Sequence, residues 1–215
     1  MLNIREQELL PIVQGGMGVG VSAHRLAGAV AEAGGMGTIS SVDLRRHHPD
    51  LMKATGRSRD KQAIDAANLL ALDREIRGAR ERAGGRGLIA VNIMRAVSEY
   101  GHYVRQACES GVGAIVVGAG LPLDLPELVA DYPDVALIPI LSESRAVGLV
   151  LKRWMRKGRL PDAIVIEHPR YAGGHLGAAR LEDLADPRFD FARVIPEVLA
   201  LYDELGIERS RIPII

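Results

Sequence analysis

The sequence predicts a (β/α)8 TIM-type barrel, of which the chain supplies about six βα units and the start of a seventh strand. Three observations point there. Short apolar runs alternate with longer amphipathic segments along all 215 residues. Those runs are apolar on both faces, as strands of a parallel sheet covered on both sides must be. Glycines gather just after the runs, at the strand ends where a barrel presents its backbone to a ligand.

The first run, 11–14 (PIVQ), leads directly into Gly15-Gly16-Met17-Gly18. Ser22 can then cap a helix that stops at Gly34-Gly35, since a hydroxyl at the start and glycine just past the end is the usual asymmetry. The second run is 36–40 (MGTIS) and the third 88–94 (LIAVNIM). Ser98 opens a helix that begins at Glu99 and ends at Gly111, followed by the fourth run, 114–118 (AIVVG). After the fifth run, 136–141 (ALIPIL), Ser142 or Ser144 opens a helix ending at Gly158. The sixth run is 163–167 (AIVIE); Asp190 opens a helix ending at Gly206, and 212–215 (IPII) begins the seventh strand.

One connection breaks the period. Residues 41–87 contain Arg45-Arg46-His47-His48, then Arg57 and Arg59, then a helical stretch over about 60–83 with Leu69, Leu70, Leu72 and Ile76 among alternating charges. It reads either as a lid or substrate-binding insertion, or as a surface loop plus the second barrel helix. Charge runs are usually solvated faces, which favours the loop and helix. No Ser/Pro/Gly-rich linker divides the chain, so residues 1–215 read as a single partial barrel domain.

Other classes fall away. A dinucleotide-binding open sheet needs G-x-G-x-x-G after a strand. Here Gly16-Met17-Gly18 is followed by Val21 at the third position, and Gly118-Ala119-Gly120 by Leu123, with Pro122 and Pro126 interrupting. Lys+Arg and Asp+Glu are both 27, so there is no electrostatic reason to expect nucleic acid or an anionic membrane as partner. The one cysteine, Cys108, excludes a disulfide framework and a Cys-based metal site, and a reducing cytoplasmic setting fits it. The N-terminus carries Glu6 and Glu8 and lacks a signal-peptide pattern. No run of about 18 apolar residues is present to span a membrane. With aromatics at only 4% and Gly at 24 residues, the core must be aliphatic.

Barrel chemistry sits just after the strands. Those positions hold Gly15, Gly16 and Met17, then Ser40-Ser41, Asn92, Gly118-Ala119-Gly120, Ser142, Glu167-His168, and the loop Gly173-Gly174-His175-Leu176-Gly177. No carboxylate cluster offers a metal site, and no nucleophile elbow is present. So few titratable groups beside so much bare backbone suit an organic cofactor that supplies the chemistry, while the protein supplies position and one acid/base. His175 is the leading acid/base, because an imidazole titrates near neutral pH and follows a Gly-Gly pair at a strand end. Its alternative is a loop histidine bonded to backbone. His24, His47, His48 and His102 read as surface residues, and His168 lies nearer the rim. Asn92, on a strand otherwise apolar all round, needs partners for its buried amide.

PIVQGGMGVG, GGMGTIS, VNIM, AIVVGAGLP and AGGHLG, in that order, resemble the nitronate monooxygenase family, FMN-dependent barrels formerly called 2-nitropropane dioxygenases. The flavin-dependent enoyl-acyl carrier protein reductases share that superfamily. The resemblance implies that Gly15, Gly16 and Met17 pack against the isoalloxazine of FMN, that Asn92 contacts it, and that Gly173 and Gly174 allow close approach. Ser142 and Glu167 complete the expected cofactor-binding set. It assigns His175 the α-proton of a nitroalkane or the orientation of a nitronate. The implied outcome is oxidation with dioxygen to a carbonyl compound and nitrite. The expected partners are that small molecule and dioxygen, with a homodimer left open.

Two departures qualify the resemblance. Tyr171 stands where many members carry an acid before Gly-Gly-His, and with Arg170 it can shape a substrate pocket instead. The family grips the FMN phosphate after strands seven and eight, whereas this sequence stops at Ile215; the expectation is a C-terminally truncated barrel. An NADH-dependent enoyl-thioester reductase is the alternative within the fold. A barrel fragment with an open sheet edge, inactive and unable to bind flavin, is the alternative outside it.

Overall fold

A computed structural model describes residues 1–172, 178 and 180–215. The chain opens on a hairpin that the apolar runs did not announce. β1 (Leu2–Ile4) pairs antiparallel with β2 (Gln7–Leu9), through a turn that holds Arg5 at φ 56°.

Next comes a short extended segment whose Val13 bridges β3 (Met36–Ser40) in parallel. β3 then pairs with β4 (Leu88–Met94), β4 with β5 (Ala114–Gly118), β5 with β6 (Ala136–Leu141) and β6 with β7 (Val165–Ile166), all parallel. At the far side Ile164 bridges Ile214 in parallel. The predicted runs thus appear in the predicted order, as a partial α/β barrel. The first and last shrink to single bridges.

Alternation along each strand sorts the side chains into two cores. Ile39, Val91, Ile93, Ile115, Val117 and Leu137 face outward into a large cluster with the helices. Met36, Leu88, Ala90, Ala114, Ala136 and Ala163 face inward, and Ile4 and Leu9 of the hairpin pack among them. The hairpin therefore plugs the floor of the barrel at the N-terminal ends of the strands.

The helices are α1 (His24–Glu32), α2 (Pro49–Thr55), α3 (Lys61–Ala83), α4 (Tyr100–Glu109), α5 (Leu125–Leu128), α6 (Ser144–Met155) and α7 (Phe191–Glu204). Their stops follow the sequence: Gly34, Gly111, Gly158 and Gly206 all take positive φ just past a helix, as does Gly84 after α3. Their starts also fall within a residue or two of the expected ones, but mostly without the expected side-chain caps. Only Asp60 of the interior helices caps with its side chain, accepting from Gln62 N and Ala63 N. Ser22, Ser98 and Asp190 make no cap hydrogen bond. Ser22 is occupied by the glycine loop described below, and Ser98 donates to Glu99 at 2.9 Å.

The long connection resolves mainly into α3, the second barrel helix. Its Leu72, Ile76 and Ala79 are fully buried. α3 crosses α1 so closely that a Cβ on Gly28 would stand 3.0 Å from the Ala79 carbonyl oxygen. Among the described residues no helix is long and apolar enough to cross a membrane.

Candidate active site

The inward residues at the C-terminal strand ends surround a cavity of about 630 Å3. Its first wall is the segment that follows Val13. There the Gln14 carboxamide extends the ladder that the backbone abandons. Nε2 donates to the Thr38 carbonyl at 3.1 Å and to Ser22 Oγ at 2.8 Å, while Oε1 accepts from Thr38 N at 3.1 Å. Ser22 Oγ in turn accepts from Met17 N at 2.8 Å and donates to the Gly15 carbonyl at 3.1 Å. Ser22 is fully buried and ties the loop into a ring, which is why it does not cap α1.

The opposite wall comes from alternate residues of the sheet. The register sets Ser40 beside Asn92 and Asn92 beside Val116, so these side chains form one inward layer. Asn92 is 8% exposed and lies directly against Gly16. A Cβ on Gly16 would come within 2.5 Å of Asn92 Cβ, closer than carbon atoms can pack. Gly15 differs: a Cβ there would meet nothing within 4 Å, so its bare backbone faces open cavity. Thr38 Oγ1 is buried and has no hydrogen-bond partner among the described residues. A buried polar atom left unmatched costs about 1–3 kcal/mol, so it favours a ligand able to bond it.

Ile140, Val165, Met94 and Val42 make the remaining surface apolar. Glu167 is the one ionisable side chain in the described lining, and burial holds its carboxyl above the usual glutamate range. No Arg or Lys lines the cavity among the described residues. The donor set therefore fits a flat, largely uncharged ring lying on glycine backbone, flanked by an amide and a hydroxyl. It offers no cation to a phosphate.

The sequence-predicted positions divide accordingly. Gly15, Gly16, Met17, Asn92 and Glu167 share the cavity. Ser142 is half-buried just past β6 and is absent from the described lining. Gly173, Gly174 and His175 lie outside the described residues. Tyr171, proposed as a pocket former, is 76% exposed. His168 is not a free rim group: its Nδ1 accepts from Arg170 N at 3.1 Å, and its ring packs against Tyr171, Phe189 and Phe191. Thr38 was overlooked as a cavity residue, and Ser40, recognised at its strand end, was given no part in the site. The alternation of MGTIS beside Asn92 would have shown them facing the same way.

The nitronate monooxygenase family model matches residues 5–215. No curated protein matches the chain. Among solved structures, nitroalkane oxidase from Streptomyces ansochromogenes is similar with a TM-score of 0.63 at 18% identity, covering 95% of this chain and 57% of that one. FabK from Thermotoga maritima is similar with a TM-score of 0.58 at 20% identity, again covering 95% of this chain and 57% of that one. At such identities the likeness is one of fold. The chain spans just over half the length of either structure.

Proposed function

The chain belongs to the nitronate monooxygenase family, and from that premise we propose that the strand-end cavity holds the isoalloxazine of FMN. The protein then oxidises alkyl nitronates or nitroalkanes with dioxygen, giving a carbonyl compound and nitrite. The observation that carries this reading is the bare Gly15 backbone open to the cavity, beside Gly16 packed on Asn92. A flat ring needs such a surface free of side chains, and FMN supplies the redox chemistry once bound.

The chain's own residues have narrower tasks. The Gln14–Ser22 ring holds Gly15 and Met17 in place. Asn92 and Thr38 Oγ1 offer hydrogen bonds to ring edges. Ile140, Val165 and Met94 keep water away from the reacting carbon. His175 is assigned the substrate's α-proton, as the acid/base of the following loop.

Two measurements test this. Titration with FMN should perturb the visible flavin spectrum and saturate. The loaded protein should then release nitrite from a nitroalkane, and His175→Ala should abolish that release on the neutral substrate. Unchanged turnover by the variant would remove His175 from its role. Consumption of NADH with an enoyl-thioester, without nitrite from nitroalkanes, would replace the reaction with the reductase chemistry.

A further inference from the structure

Two of the histidines that read as surface residues, His24 and His47, also adjoin the glycine loop, and His48 stands beside them. Glu75 lies on α3 and is 2% exposed. It accepts a hydrogen bond from the backbone N–H of His24 at 2.6 Å. The same oxygen, Oε2, meets His24 Nδ1 at 2.7 Å, and Oε1 meets His48 Nε2 at 3.0 Å. One buried carboxylate thus joins the first residue of α1 to the residue that precedes α2. Both lie far from it in sequence, so no local pattern revealed the cluster.

The neighbours of those two histidines reach the cavity. His24 lies two residues beyond Ser22, whose hydroxyl and backbone tie down Gly15 and Met17. The ring of His47, next to His48, packs against Gly20: a Cβ on that glycine, which has φ +72°, would overlap the imidazole. Gly18 is likewise close to Ser40 Oγ and Val42. The glycine loop is therefore held at its exit through His24 and along its outer side through His47. Both holds converge on Glu75.

We propose that Glu75 is a positioning residue for the cavity: by binding His24 and His48 together it fixes the 15–21 loop in the shape that receives the flavin ring. It touches no cavity atom and acts only through its two histidines. A carboxylate suits this task because Oε2 takes both the backbone N–H and the ring Nδ1 of His24, while Oε1 stands at ion-pair distance, 3.0 Å, from His48 Nε2. Gln keeps the shape but removes the negative charge that pairs with the two histidines. This inference rests on the reading of the cavity as a flavin site, although the mechanical part stands without any cofactor.

The test is hydrogen exchange on the ligand-free protein, followed by flavin titration. Glu75→Gln should speed exchange of the 15–21 amides by about tenfold or more, with β4 and β5 unchanged, as local opening without global unfolding requires. His47→Ala removes an exposed ring and cannot plausibly prevent folding. It should loosen the same amides, and the double variant should be no looser than the larger single effect, because coupled residues are non-additive. In the flavin titration both single variants should weaken binding by at least about tenfold. Uniform acceleration across the sheet, or additive effects of the two substitutions, would overturn the positioning role. If local loosening is found but no variant, nor the wild type, binds flavin, the positioning role stands and the reading of the cavity fails.

Discussion

Gly15 and Gly16 are neighbours with opposite constraints. A methyl at 16 must displace Asn92, because the Cβ would lie 2.5 Å from Asn92 Cβ. Overpacking of that kind costs about 1–3 kcal/mol. A methyl at 15 meets no protein atom within 4 Å, so it intrudes only on a ligand. Gly16→Ala should therefore lower the denaturant midpoint, whereas Gly15→Ala should leave it unchanged and weaken FMN binding. Equal midpoints for the two variants would contradict the packing of Gly16 on Asn92.

Glu167 gives a prediction of a different kind. Burial raises its carboxyl pKa in the folded state, so the folded protein holds that proton more tightly than the unfolded chain. The contribution to stability is complete below the unfolded value and is lost as pH rises through the raised one. Glu167→Gln should thus gain thermal stability relative to wild type as pH increases from about 4 to 7. Thermal melts across that window measure the gap, which should shrink towards acid.

At the scale of elements, the closest approach is that of α1 to β3. A Cβ on Gly37 would overlap the Ala27 carbonyl oxygen, and backbone cannot yield as a side chain can. Gly37→Ala should destabilise the protein by about 3 kcal/mol, at the upper end for overpacking, as read from chemical denaturation. The strands were largely legible in the sequence. The runs 36–40, 88–94, 114–118 and 136–141 coincide with β3 to β6, because a strand buried on both faces leaves an unbroken apolar run. The hairpin was not legible, since each arm has three residues and carries polar Asn3, Gln7 and Glu8. Helix starts fall within a residue or two of the expected places, but the expected serine caps do not form: Ser22 and Ser144 bond to partners brought close only by the fold, Gly15, Met17 and Glu197. Of the candidate site, Gly15, Gly16, Met17 and Glu167 could be found from their place after a strand, and Asn92 as the polar residue near the end of an apolar one. The Glu75 cluster could not, because its members lie on three separated segments.

For the molecule as a whole, the hairpin floor matters more than its length suggests. Ile4 and Leu9 are almost fully buried among the strand starts. Burial of each such side chain is worth about 1.5–3 kcal/mol. Deleting residues 1–9 should expose the inward faces of Met36, Leu88 and Ala136, lower the melting temperature, and produce binding of a hydrophobic dye. A deletion that melts like the full chain would show that the barrel interior is sustained by its walls alone.

The same floor sets an order on synthesis. Arg5 donates to the Pro133 carbonyl across 128 residues, and Gln7 donates to the Gly87 carbonyl across 80. The inner cluster that receives Ile4 and Leu9 extends to Ala163. Ile4 and Leu9 therefore find their last partners only once Ala163 has left the ribosome. Contacts so remote in sequence slow folding, and until they form, the apolar floor is open to other chains. The hairpin, made before every strand it covers, is the piece whose docking closes the floor.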